Sequence, residues 1–125
     1  MDDYSDDFPY WAKVAMSDGA EKPMVILPYA IDSNDMKFWL SASFTPQMWL
    51  DYARRSFDWL QAESVREGAR MMSLGLHLRI IGRPGRIAAL QAFLEHVGGH
   101  KDVWVARRED IAAHFASNVS AGTAR

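Results

Sequence analysis

One stretch constrains this chain more than any other: Met71-Met72-Ser73-Leu74-Gly75-Leu76-His77-Leu78-Arg79-Ile80-Ile81-Gly82-Arg83-Pro84-Gly85-Arg86. Its apolar opening is short and bounded, which suits a buried strand better than a helix. The run ends at His77, turns through Gly82 and Gly85, and meets Pro84, a residue favoured in the first turn of a helix. Strand, polar loop and helix in that order form the edge at which α/β proteins keep their chemistry. Residues that act would then sit at the carboxyl end of the strand: His77, with Arg79 and Arg83 beyond it.

The rest of the chain supplies the neighbours such a strand needs. Pro23-Met24-Val25-Ile26-Leu27-Pro28-Tyr29-Ala30 is a second continuous apolar run, read as a strand buried on both faces. The polar loop Ile31-Asp32-Ser33-Asn34-Asp35 follows it. Thr45-Pro46 is a strong helix start, a capping hydroxyl before a proline. From there Trp49, Tyr52, Ala53, Phe57 and Leu60 recur at helical spacing, with Asp51, Arg54, Arg55 and Asp58 toward water, and the helix fades near Gly68. Pro84 opens another helix, with Ile87, Leu90, Phe93, Leu94 and Val97 on its buried face and Gly98-Gly99 as a left-handed stop. Val103-Trp104-Val105-Ala106 is a third short strand, and Ile111 to Phe115 a final short helix.

The expected order is strand-helix-strand-helix-strand-helix, an α/β pattern of parallel strands and crossovers. All 125 residues form a single domain in this reading, with 1–22 an acidic and aromatic arm and 116–125 a frayed tail. Three strands are few for a parallel sheet, so the pattern looks like part of a larger barrel or a sheet completed by another chain.

Composition narrows the chemistry. A hydrophobic share of 49% against 24% charged suits a packed soluble domain, and a net charge of -2 gives no general pull toward nucleic acid or anionic lipid. With no cysteine, thiolate catalysis, disulfides and cysteine-bound zinc are excluded. The acidic start Met1-Asp2-Asp3-Tyr4-Ser5-Asp6-Asp7 is unlike a basic leader, and no apolar run approaches the roughly 18 residues of a membrane span. A cytoplasmic protein with no nucleic-acid or membrane partner is expected.

In a parallel sheet the loops after the first and second strands emerge at one edge. Asp32 and Asp35 could then face His77 across a cleft, where a carboxylate favours the charged imidazole and equips it as a general acid. On residues alone, a single histidine after an apolar run is more often a hydrogen-bonded structural group. His96 and His100 are four apart, but Gly98-Gly99 between them should break the helix, so no metal pair is expected there. Gly82-Arg83-Pro84-Gly85-Arg86 lacks the spacing and the Lys-Ser/Thr of a nucleotide loop, though its arginines suit a carboxylate or phosphate. Ser73 lies within the strand, and no Gly-x-Ser-x-Gly elbow occurs.

Three segments resemble one family: Asp6-Asp7-Phe8-Pro9-Tyr10-Trp11; Leu27-Pro28-Tyr29-Ala30-Ile31-Asp32-Ser33-Asn34-Asp35-Met36-Lys37-Phe38; and Met71 through Ala89. With Val103 to Ala112, they are similar to the C-terminal part of the polysaccharide deacetylase superfamily. The nearest branch holds the cofactor-independent allantoinases and chitin-deacetylase-like proteins. The resemblance implies a distorted (β/α) barrel, of which this chain would be a partial one, and hydrolysis of carbon–nitrogen bonds in acetamido sugars or allantoin. It implies that His77 protonates the leaving nitrogen and that Asp32 and Asp35 position the site. Arg79, Arg83, Tyr10 and Trp11 would contact substrate. The family's earlier motifs, an Asp-Asp pair supplying the base and the metal-binding histidines, have no counterpart in these residues. The expectation is therefore a hydrolase portion inactive alone, with no cofactor or metal of its own. Its partners would be a small polar amide or an N-acetylated sugar, and a second copy or a complementary N-terminal half-barrel chain. The alternative is a non-catalytic half-barrel module that dimerises or binds a partner through its open sheet edge.

Overall fold

The computed structural model describes residues 7–29 and 32–123. Met1 to Asp6 of the expected arm, Ala30 and Ile31 of the expected strand and loop, and Ala124 and Arg125 of the tail lie outside the described residues. The architecture is mixed α/β, with two strands and five α-helices among those residues.

Residues 10–22 of the expected arm belong to a hairpin. β1 (Tyr10–Ala15) pairs antiparallel with β2 (Glu21–Ile26), in the register Tyr10 opposite Ile26 and Ala15 opposite Glu21. The turn is built by its own sequence. Met16 N–H donates to the Ala20 carbonyl at 2.8 Å, the Asp18 carboxylate accepts from Ala20 N–H at 3.0 Å, and Gly19 takes φ +80°, which glycine adopts at little cost. This corrects the expected arm over 1–22 and the expected buried strand. Glu21 to Met24 are exposed, and burial is complete only at Pro28, past the strand. An apolar run marks a buried strand only where other elements cover both faces, and among the described residues β2 belongs to a two-stranded sheet in which Glu21 to Met24 stay exposed.

The helices follow the sequence more closely. After α1 (Lys37–Leu40), α2 spans Pro46–Glu67, with Thr45 Oγ1 accepting from Met48 N–H at 3.2 Å and Pro46 in the first turn. It ends at Gly68, where φ is +93°. Its buried face is Trp49, Leu50, Ala53 and Phe57, while Tyr52 stays on the exposed side. Arg54, expected in water, is half-buried and its Nη2 donates to the Ala92 carbonyl at 3.1 Å. A short turn of helix absent from the expected order, α3 (Leu78–Ile81), follows His77 directly. α4 (Ile87–Gly98) begins three residues beyond Pro84. Its end is not left-handed: Gly99 has φ -72° and ψ -15°, and Gly99 and His100 N–H donate to the His96 and Val97 carbonyls at 3.2 and 3.1 Å. The chain tightens instead of breaking, and His100 stays beside His96.

Met71 to His77 and Val103 to Arg107 form no ladder among the described residues, contrary to the second and third strands of the expected order. Single backbone bonds hold the first segment instead: Met71 N–H to the Asp7 carbonyl at 2.5 Å, and Asp35 N–H to the Gly75 carbonyl at 3.1 Å.

The core lies between α2, α3 and α4. Trp49, Ala53, Phe57, Ile80, Ile81, Ala89 and Phe93 belong to one buried cluster with Phe38 and Leu50. Phe93 is gripped edge-on by Trp49 and Phe57, with ring centroids 6.0 and 6.3 Å away, a favoured aromatic geometry. α5 (Arg108–Asn118) is longer than expected, covers part of the supposed frayed tail and buries no residue fully. A 3₁₀ turn, Ala121–Thr123, follows.

Candidate active site

The polar loop after the hairpin and the segment ending at His77 meet at Asp35. Its side chain is fully buried, and its two oxygens divide the work. Oδ2 accepts the backbone N–H of His77 at 2.7 Å and that of Ile81 at 3.2 Å; Oδ1 stands 2.7 Å from His77 Nδ1. One carboxylate thus caps α3 and holds the ring. A carboxylate can only accept, so the bond assigns a proton to Nδ1 and leaves Nε2 free for exchange. The imidazole is 37% exposed.

The loop that presents Asp35 is fastened on all sides. The buried Trp49 indole donates to the Ser33 carbonyl at 2.9 Å. Asn34 Oδ1 accepts from Met36 N–H at 2.8 Å, an Asx turn, while its Nδ2 donates to the Tyr29 hydroxyl at 2.9 Å. That amide–phenol pair lies against Gly75, where a Cβ would overlap both Tyr29 Oη and Asn34 Nδ2. Glycine is needed here for close approach, not for an unusual φ.

Asp32 goes elsewhere. Its Oδ2 accepts from the Tyr52 hydroxyl at 2.6 Å, tying the loop to α2. The Asp32 hydrogen bond, helped by burial and by the Asp32 charge, raises the Tyr52 phenol above its ordinary range, with a hydrogen bond to Ser56 opposing. The structure therefore brings together Asp35 and His77 but turns Asp32 to Tyr52. Asp32 lines a cleft of about 370 Å³ with Ser33, Arg55, Trp59 and Met72.

Arg79 and Arg83 line one groove of about 740 Å³ with Arg86, Phe38, Trp39 and Phe44. Arg86 lies over the Phe38 ring at 4.7 Å and donates to the Ile80 carbonyl at 3.3 Å, so it is engaged where Arg79 and Arg83 are exposed. Tyr10 and Trp11 open β1. The Trp11 indole donates to the Val119 carbonyl at 2.9 Å and its ring meets Phe115 at 6.1 Å, which commits it to α5.

Sequence reasoning missed Arg108. Its guanidinium reaches Ser73 Oγ at 2.8 Å and the Leu27 carbonyl at 2.6 Å, pinning α5 to both segments that feed the site. Nothing in its local sequence marks it, because its partners are 35 and 81 positions away. Tyr29 and Asn34 had a signal, since both fall in the Pro-Tyr-x-x-Asp-x-Asn-Asp-Met run. No helix among the described residues is long and apolar enough to cross a membrane.

No protein-family model matches the chain. Individual proteins do. A Schizosaccharomyces pombe protein named "Putative polysaccharide deacetylase" is 43% identical over 121 residues, which are 93% of this chain and 38% of that protein. The crystal structure of a "probable Polysaccharide deacetylase" from Pseudomonas aeruginosa PAO1 superimposes with a TM-score of 0.82 at 41% identity. That of Puue Allantoinase gives 0.81 at 42%. In both, the match covers 94% of this chain and 38% of the other. The chain thus spans well under half the length of the proteins it matches. Over that span its sequence and fold belong to the polysaccharide deacetylase superfamily, as a C-terminal part of it.

Proposed function

We propose that this segment supplies the leaving-group side of a carbon–nitrogen hydrolase site within a partial (β/α) barrel. The fold reading is supported by the superposition on a deacetylase and an allantoinase, and by the non-helical segments 71–77 and 103–107, each leading into a helix. The functional reading is carried by one observation: a fully buried Asp35 holds His77 by Nδ1 while the ring stays 37% exposed. An imidazole fixed in that way can hand a proton from Nε2 to a departing amine or ureido nitrogen and accept one back. Asp35 is a positioning residue in this scheme. Asp32, bonded to Tyr52, shapes the loop and does not touch the ring. Arg79 and Arg83 offer planar donors to carbonyl or carboxylate oxygens of a polar amide such as an N-acetylated sugar or allantoin. Trp11, committed to α5, is left out of the substrate assignment, and Tyr10 opens β1 beside it. The attacking water needs a base or metal on its own side of the amide, and the residues in hand supply the acid side.

A chimera tests this. Residues 7–123 replace the matching segment of Puue Allantoinase, and allantoin hydrolysis is followed. The chimera should turn over, and His77→Ala within it should lower kcat by about 10²–10⁴-fold, the usual worth of a general acid. An inactive chimera, or an unchanged rate in the variant, refutes the assignment.

A second reading, an association module, draws on a different observation. Leu78 is 89% exposed, Leu40 and Val105 80% each, and Trp59 69%, which leaves large apolar surface open to solvent. A second copy of this chain, or a complementary half-barrel, would cover it. Light scattering at increasing concentration distinguishes a strict monomer, which argues against this reading, from a dimer.

A further inference from the structure

The far end of the α2–α4 pair carries a second cluster. Asp58 on α2 and His96 and His100 at the end of α4 each bring one ligand atom to within 4.8 Å of the other two. His96 Nε2 already lies 2.6 Å from Asp58 Oδ1. Both imidazoles are part-buried and stand edge-on to Phe57, with centroids 5.5 and 5.0 Å from that ring and 5.5 Å from each other. Phe57 belongs to the buried core, so the two rings rest on a rigid base.

Two histidines four apart on one helical face are a known metal-ligand spacing, and the sequence argument against it here assumed that Gly98-Gly99 breaks the helix. The tightened turn at Gly99 and His100 removes that objection, because it returns His100 to the face that carries His96. The ligand set is two neutral nitrogens and one carboxylate oxygen from two elements that already pack together. Imidazole and carboxylate with no thiolate suit zinc and its neighbours among the divalent transition metals. In a tetrahedral zinc site with bonds of about 2.0–2.1 Å the ligand atoms stand roughly 3.3 Å apart. The Asp58–His96 pair must open slightly and the wider separations must close, movements within reach of side chains at a helix end. Exposure of Asp58 leaves a position for water.

We infer that Asp58, His96 and His100 form a binding site for one zinc-class divalent cation, which clamps the end of α4 to the middle of α2. The site shares no residue with the Asp35–His77 pair, so it does not stand or fall with the proposed function. Beside it, Gln61 Nε2 on α2 donates to Asp102 Oδ2 at 3.0 Å, a second tie between α2 and the chain beyond α4.

Titration of the full 125-residue chain with cobalt(II), followed by its ligand-field absorption, and with zinc chloride by calorimetry tests the site. The expected result is saturable binding of one ion per chain, with zinc displacing cobalt. His100→Ala and the near-isosteric Asp58→Asn should each weaken binding by about 10–100-fold, the scale on which metal-site partners act. His114→Ala should leave binding unchanged. No saturable binding, or the same affinity in the Asp58 and His100 variants, overturns the inference; Asp58→Asn keeps side-chain volume, so a folding defect in one variant does not leave the question open.

Discussion

Replacing Asp35 by alanine takes away one side chain and leaves the His77 backbone N–H without its acceptor, the His77 ring nitrogen without its carboxylate, and Ile81 N–H with only its bond to the His77 carbonyl at 3.0 Å. Asp35 is fully buried, so water does not simply take over the His77 backbone group. An unsatisfied buried donor costs about 1–3 kcal/mol and a hydrogen bond to a charged group is worth about 1.5–3 kcal/mol, so a loss of about 3–5 kcal/mol is expected for Asp35→Ala. For a domain of this size that is roughly 12–20 °C in Tm, at roughly 4 °C per kcal/mol. Asp35→Asn should behave differently. Its amide oxygen can keep the two backbone N–H groups at the Oδ2 position, while its NH₂ faces His77 Nδ1. That contact works only if the ring moves its proton to Nε2. The expected loss is then about 1–2 kcal/mol, the charge assistance alone, accompanied by a switch of tautomer. Thermal denaturation gives the stabilities, and ¹⁵N chemical shifts of the His77 ring report which nitrogen carries the proton. Equal stability in the two variants, or an unchanged tautomer in Asp35→Asn, would refute the division of labour between Oδ1 and Oδ2.

Other perturbations read the supports of the loop. Gly75→Ala should destabilise by about 1–3 kcal/mol, as overpacking does, and Asn34→Ala in the same chain should recover part of it; additive losses on denaturation would contradict the close approach. Trp49→Phe leaves the buried Ser33 carbonyl without its donor and should cost about 1–3 kcal/mol by thermal denaturation, while an unchanged midpoint would deny that bond any weight. The Tyr52 phenol should ionise above the usual 10.0, seen as the phenolate absorbance that Tyr52→Phe removes. Because the folded value is raised, the stability gained from the Tyr52–Asp32 bond is present below pH 10.0 and is lost as pH rises through the raised value. A Tyr52 midpoint at or below the usual value would refute this. Arg108→Gln should release α5 first, visible as faster hydrogen exchange in Arg108–Asn118 than in α2.

Helix α2 was legible because every signal for it is local: a capping threonine, a proline in the first turn, aromatic residues at helical spacing and a closing glycine. The approach of His77 to Asp35 was also legible, by placing two loops at one edge, although the parallel sheet that argument assumed is not what holds them together. A short turn of helix and a shared carboxylate do. The hairpin was readable in principle from Asp18-Gly19 between Tyr10–Ala15 and Glu21–Ile26, but the acidic start drew those residues into an arm. Apolar length alone then turned Pro23 to Ala30 into a buried strand. Asp32 and Asp35 look equivalent in sequence and differ entirely in place, since one meets a phenol on α2 and the other a helix end. Arg108 stayed invisible because a long-range tie depends on where two distant segments arrive. Gly98-Gly99 misled in the opposite direction: glycine permits a left-handed stop without requiring one.

The sharing of one carboxylate between α3 and an imidazole makes the two positions unequal under mutation. A change at 77 can remove the ring and still leave a well-capped turn, because its backbone N–H remains. A change at 35 strikes the turn and the ring together. Descendants that abandoned chemistry would then be expected to drift at 77 long before 35, so an aspartate retained without its histidine would be the footprint of a retired enzyme.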